Sequence, residues 1–155
     1  MDGYHNIIES LNREIEEASG SIREEARDDE SAKLLMAVPG IGYCSALLIV
    51  SEIGDVNRFP DSSHLCSCSG STPSTYQSGN VSYHGSITKT GSRYLRWVLT
   101  ECARSHIRSY SESSITRFSI KTAARKGDAK AIVAAASKLL KVAYWMLKEK
   151  RPYHS

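Results

Sequence analysis

The chain has 155 residues and a mass of 17.1 kDa, room for one domain with an appended helix and too little for a large two-lobed enzyme. Hydrophobic residues make up 41% of it, enough for a core, and no apolar run reaches the roughly 18 residues of a membrane span. The net charge of +3 conceals a gradient, from −7 over residues 1–30 through −1 over 31–88 to +11 over 89–155. The last section is either an ordinary solvated surface or one that meets a polyanion such as a phosphate backbone.

The opening stretch MDGYHNIIESLNREIEE is acidic and lacks the apolar run of a secretory signal. Cys44, Cys66, Cys68 and Cys102 are too few and too scattered for a disulfide framework. Both features predict a cytoplasmic chain with free thiols and no membrane partner.

The pattern divides the chain into a coiled-coil-like helix over residues 1–30 and an all-α domain over 31–150. Within residues 4–25, Ile8, Leu11, Ile15, Ala18 and Ile22 recur at the 3-4 spacing of a coiled-coil seam. That seam either packs on its own domain or needs a partner helix, a second copy of the chain being one source. A short helix over 31–37, with Ser31 as its N-cap, precedes a Pro-Gly-Ile-Gly turn. A second helix runs from Tyr43 to Glu52, with Ala46, Leu47 and Val50 facing inward and Gly54 stopping it. Asp61 caps another short helix. Residues 66–91, rich in Ser, Gly and Thr, read as an irregular loop or a Gly-rich ribbon. A strong helix over 92–109 carries Leu95, Val98, Leu99, Cys102 and Ile107 on one side and Arg93, Arg96, Arg104 and Arg108 outside. Residues 110–127 read as a linker with a short helical piece at most. A final helix over 128–148 lines up Ile132, Ala136, Leu139, Ala143 and Leu147. Trp145 reads as a core or docking aromatic.

Four constellations bear on chemistry. Residues 34–54 have the helix-hairpin-helix pattern: Gly40 and Gly42 leave the turn bare for a phosphate to approach its amides, and Val38 and Ile41 anchor it. Such a contact reads backbone shape rather than sequence. An αα-corner without a ligand is the alternative. The second constellation sets Ser78-Gly79 ahead of Lys89, Arg93 and Arg96. An exposed hydroxyl near positive charge suits attack on a phosphodiester, yet Ser78 is one of 24 serines. No Asp or Glu occurs from 62 through 100, so no local carboxylate pair is available to bind Mg²⁺. His64, Cys66, Cys68 and His84 are zinc-ligand types, but their spacing is wrong and no metal site is expected. The fourth constellation is Lys121, Arg125, Lys126, Lys130, Lys138 and Lys141, where Lys126 and Lys130 bracket the start of the last helix. His106 reads as a surface or phosphate-contacting histidine.

AVPGIGYCSALLIVSEIGDVNRFPDSSHL, GSTPSTYQSG, HGSITKTGSRYLRWVLTECA and KGDAKAIVAAASKLLKVAYWMLK occur in that order. From Leu34 to Leu147 they resemble the C-terminal transposase domain of the bridge-RNA-guided, serine-dependent insertion-sequence transposases. The resemblance implies that Ser78 attacks a DNA phosphodiester and forms a phosphoserine link. It implies that Lys89, Arg93 and Arg96 contact DNA or a guide RNA, and that residues 4–25 end a coiled coil. It places the Mg²⁺-binding carboxylates in a RuvC-like nuclease domain that this sequence does not contain, so the chain is expected to be inactive alone and to carry no cofactor. Double-stranded DNA is the implied partner. A non-enzymatic helix-hairpin-helix DNA-binding module and a structural dimerisation module are the competing readings.

Overall fold

Seven α-helices, one turn of 3₁₀ helix (Val56–Arg58) and one two-stranded ribbon are the regular elements among the described residues, which are 2–70, 73–78, 81–87 and 91–153 of a computed structural model. The fold is all-α in class, as the periodicity predicts. In chain order the helices are α1 (Asp2–Asp28), α2 (Glu30–Met36), α3 (Tyr43–Ile53) and α4 (Ser62–Cys68). The ribbon, β1 (Pro73–Ser78) and β2 (Val81–Ile87), follows. The helices α5 (Arg93–Ser109), α6 (Ser114–Lys126) and α7 (Asp128–Glu149) complete the chain.

Short polar side chains set the helix starts by accepting otherwise unpaired amides of the first turn. Asp61 caps α4 by accepting from the amides of Ser63 and His64. Ser92 caps α5 by accepting from Leu95, and Ser113 caps α6 by accepting from Thr116. The cap of α2 is Asp29, which accepts from the Ala32 amide at 2.7 Å, rather than Ser31. Asp29 wins because the helix begins one residue earlier than the apolar pattern suggests.

The core is built around α7, which packs against α2, α4, α5 and α6. Its buried face alternates small and large residues, with Ala135, Ala136, Leu139, Leu140, Ala143 and Tyr144 all sealed from solvent. The alanines let neighbouring helices approach, and the larger side chains fill the gaps between them. Leu95, Val98, Leu99 and Cys102 of α5 and Ala46, Ile49 and Ile53 of α3 complete that core. Leu47 and Val50, expected inside, are half-buried at its edge. The buried hydroxyl of Tyr144 donates to the carbonyls of Phe59 and Pro60, fixing the approach to α4. Trp145, its neighbour, is half exposed and stands edge-on to the Tyr144 ring, outside the core.

One segment departs from the sequence pattern, and another takes one of its two expected forms. Residues 114–126 are a full 13-residue helix where a linker was expected. Its buried positions are Ile115, Thr116 and Ser119, while Phe118 and Ile120 face water, so apolar spacing does not reveal it. The Ser/Gly segment resolves in favour of the ribbon: β1 pairs antiparallel with β2, with Tyr76 opposite Tyr83 and Ser78 opposite Val81.

The greater part of the α1 seam does not pack on the body. Residues 3–18 are exposed throughout, and Tyr4, Ile7, Ile8, Leu11 and Ile15 are each more than half uncovered. Contact with the body comes from the helix end, where Ala26 is buried and the Arg23 guanidinium lies 4.9 Å from the centre of the Tyr43 ring.

The turn between α2 and α3 is fixed from within. Gly40 has φ +92°, and a Cβ built there would fall 2.5 Å from the His106 backbone nitrogen. Gly42 is open, with nothing within 4 Å. Gly40→Ala is therefore expected to destabilise the fold by at least about 2 kcal/mol. Gly42→Ala, at an ordinary φ, should cost about 1 kcal/mol or less. Urea unfolding of the two variants checks the contrast, and equal losses would contradict it.

Candidate nucleic-acid interface

His106 is fully buried, not on the surface as its arginine-rich helix suggests. A carbonyl oxygen only accepts, so Nδ1 carries a proton and donates to the Pro39 carbonyl at 2.6 Å. Nε2 meets the Ser113 hydroxyl at 2.8 Å. That hydroxyl also accepts from the Thr116 amide at 3.0 Å, and the Thr116 hydroxyl donates to the Tyr110 carbonyl at 2.7 Å. One imidazole thus joins the Pro-Gly-Ile-Gly turn, α5 and the start of α6. Val38 and Ile41 are buried on either side, anchoring the turn as expected. Gly40 meets α5, so its missing side chain serves helix packing. Gly42 faces solvent as the N-cap of α3, with no side chain bonded over the first-turn amides and no acidic residue among them.

The ribbon is cinched at its open end. Ser92 donates its amide to the Cys68 carbonyl at 3.2 Å, and a Cβ at Gly91 would sit 1.9 Å from that oxygen. Arg96, half-buried, donates through one guanidinium nitrogen to the carbonyls of Ser69 and Gly91. Ser78 pairs with Val81 at the turn end, five residues along β1 from Pro73, or about 17 Å at the rise of an extended strand. The ribbon therefore carries Ser78 at one end while Arg96 closes the other. The Ser78 side chain and all of Lys89 lie outside the described residues. Arg93 is exposed, with its guanidinium donating to the Tyr94 hydroxyl at 2.9 Å.

The densest run of free positive charge is on α6. Arg117, Lys121 and Arg125 follow one another at four-residue intervals, so they share one face and advance by about 6 Å per step. All three are exposed, and among the described residues none is in an ion pair. Helix α6 contains no Asp or Glu; Glu112 and Asp128 lie beyond its two ends. Lys126 ends α6 and Lys130 opens α7, both exposed, across a corner made by Gly127 at φ +84°. Arg117 escapes a sequence reading because the stripe exists only once residues 114–126 are helical.

Among the described residues no group of three or more His, Cys, Asp and Glu is arranged to hold a metal ion. The Asp61 carboxylate accepts from the His64 amide and pairs with the His64 imidazole at 3.0 Å, which holds it below the usual carboxylate range. Cys66 is buried, its thiol donates to the Ser137 carbonyl, and burial pushes its pKa up. The side chain of His84 lies outside the described residues. All four cysteines are free, and among the described residues no helix is long and apolar enough to cross a membrane.

Residues 32–119, which contain the anchored turn, the ribbon and α5, match the model of the transposase IS116/IS110/IS902 family. The chain belongs to that family. It is 31% identical over 152 residues to the transposase for insertion sequence element IS1111A of Coxiella burnetii, covering 94% of this chain and 41% of the relative. It is 33% identical over 100 residues to the transposase for insertion sequence element IS1328 of Yersinia enterocolitica, covering 64% and 30%. A pilin gene-inverting protein of Moraxella bovis is 33% identical over 126 residues, covering 79% and 38%. The chain thus spans 30% to 41% of the length of these relatives.

The two arginines of the expected cluster have separable roles. Arg96→Gln removes a charged donor from two backbone carbonyls and is expected to cost about 1.5–3 kcal/mol. Arg93→Gln, on the surface, should change stability by about 0.5 kcal/mol or less. Denaturant titration of each variant measures the difference, and equal effects would show that the clip holds nothing.

Proposed function

We propose that this chain is the part of an insertion-sequence transposase that grips the DNA backbone and presents the attacking serine. The observation that carries the binding half is the acid-free stripe of Arg117, Lys121 and Arg125, continued by Lys126 and Lys130. Cations 6 Å apart along a rigid helix suit a charged strand, and they recognise phosphates rather than bases. The helix-hairpin-helix turn adds the exposed Gly42 and the uncapped amides of α3, with the Arg23 guanidinium beside Tyr43. A guide RNA would meet the same phosphate chemistry, and the uncovered seam of α1 would pair with a second copy of the chain.

The catalytic half rests on the resemblance and on the position of Ser78 at the end of β1 away from the Arg96 clip. In this reading the Ser78 oxygen forms a new bond to phosphorus as one strand P–O bond breaks. The serine proton ends on the departing sugar hydroxyl, and a phosphoserine ester holds the other strand end. No Asp or Glu lies within residues 62–100, so in this reading the carboxylates that would hold Mg²⁺ come from another part of the transposase.

Replacing Arg117, Lys121 and Arg125 together by Gln should weaken duplex DNA binding equally across sequences. The slope of log affinity against log salt should become shallower by about 2.7 for three lost phosphate contacts. Fluorescence anisotropy across a salt series measures it, and an unchanged slope would remove α6 from the interface. In a full-length family transposase carrying this segment, Ser78→Ala should leave duplex affinity within about twofold and abolish the covalent protein–DNA adduct seen on a denaturing gel. An adduct formed at wild-type level by the variant would exclude Ser78 as nucleophile.

A further inference from the structure

Large aromatic side chains left in water are the informative exceptions on a protein surface. Trp97 is 61% exposed and Tyr94 52% exposed, and with Arg93 they line an open depression on the outer face of α5. Arg93 and Trp97 are one helical turn apart. The Arg93 guanidinium lies 4.9 Å from the centre of the Tyr94 ring and donates to its hydroxyl, so the cation is held beside the aromatic faces. Among the described residues no carboxylate pairs with it. The one acidic residue of α5, Glu101, is already held by Arg104 at 2.6 Å. Further along the helix Arg108 is exposed as well.

We propose that Arg93, Tyr94 and Trp97 form a platform on which an unpaired nucleobase of a single strand stacks. The proposal rests on the reading of this chain as a nucleic-acid binder and extends it to a second kind of contact. Cationic surroundings select a polyanion over an apolar protein segment. Flat, exposed rings offer little to a duplex, whose base faces are already stacked, and much to a strand whose bases are free. The α6 stripe holds backbone; the α5 platform tells single strand from double.

The chain has two tryptophans, Trp97 and Trp145, so Trp145→Phe leaves Trp97 as the sole reporter. In that background a short single-stranded thymidine oligomer should quench Trp97 fluorescence. The same oligomer should bind about tenfold more tightly than an abasic strand of equal length and charge. Trp97→Ala should erase the difference between the two strands, with duplex binding kept within about twofold, and Trp97→Tyr should restore most of it. Equal binding of the base-bearing and abasic strands, or unchanged Trp97 emission at saturation, would overturn the platform. If duplex binding persists in that case, stacking alone falls; if neither duplex nor single strand binds, the backbone-gripping reading falls with it. A concentration-dependent blue shift of Trp97 without nucleic acid would also overturn the proposal, by assigning the patch to protein contact.

Discussion

A buried imidazole holds three parts of this chain in register. His106 donates to the Pro39 carbonyl on one side and meets the Ser113 hydroxyl on the other, while Gly40 lies flush against the α5 backbone. Leaving any of these buried polar groups unpaired costs about 1–3 kcal/mol, so they act as a unit. Because Ser113 is also the N-cap of α6, the helix bearing the basic stripe starts from the same node that fixes the turn before α3. The two surfaces proposed to meet DNA are therefore positioned by one small polar cluster, and only then by the apolar core around α7.

Much of this fold is legible in the sequence, and the exceptions have physical causes. Helices α3, α5 and α7 announce themselves because their buried residues are mostly apolar and regularly spaced. Helix α6 hides because Thr116 and Ser119 are buried while Phe118 and Ile120 are in water. His106 looks like a surface residue among arginines, since its partners Pro39 and Ser113 come together only in three dimensions. Gly40 reads in the sequence as a bare turn position open to a phosphate, but the group occupying its empty side is a helix backbone. In the candidate site, Lys126 and Lys130 could be named from charge alone. Arg117 could not, because a stripe needs the helix that makes it. Ser78 stood out from its fellow serines only through the resemblance; local chemistry offered no reason to choose it.

Charge is divided between elements rather than mixed over one surface. The −7 of the first thirty residues sits largely on α1, and the basic excess sits on α5, α6 and α7. In a family whose compared members are more than twice as long as this chain, such a division suits a segment that has one acidic handle and one phosphate-facing side. The ribbon between α4 and α5 adds a third element, its base closed by Gly91 and Arg96 and its serine at the other end.

The uncovered length of α1 has a metrical consequence. Twenty-seven residues at 1.5 Å each make a rod of about 40 Å, joined to the body through its last turns. A rod of this kind acts as a ruler and a protractor together. Each added or removed residue shifts whatever it bears by 1.5 Å and turns it by about 100°. Seven-residue changes lengthen or shorten the ruler with its apolar edge still nearly aligned, whereas changes of three or four turn that edge aside.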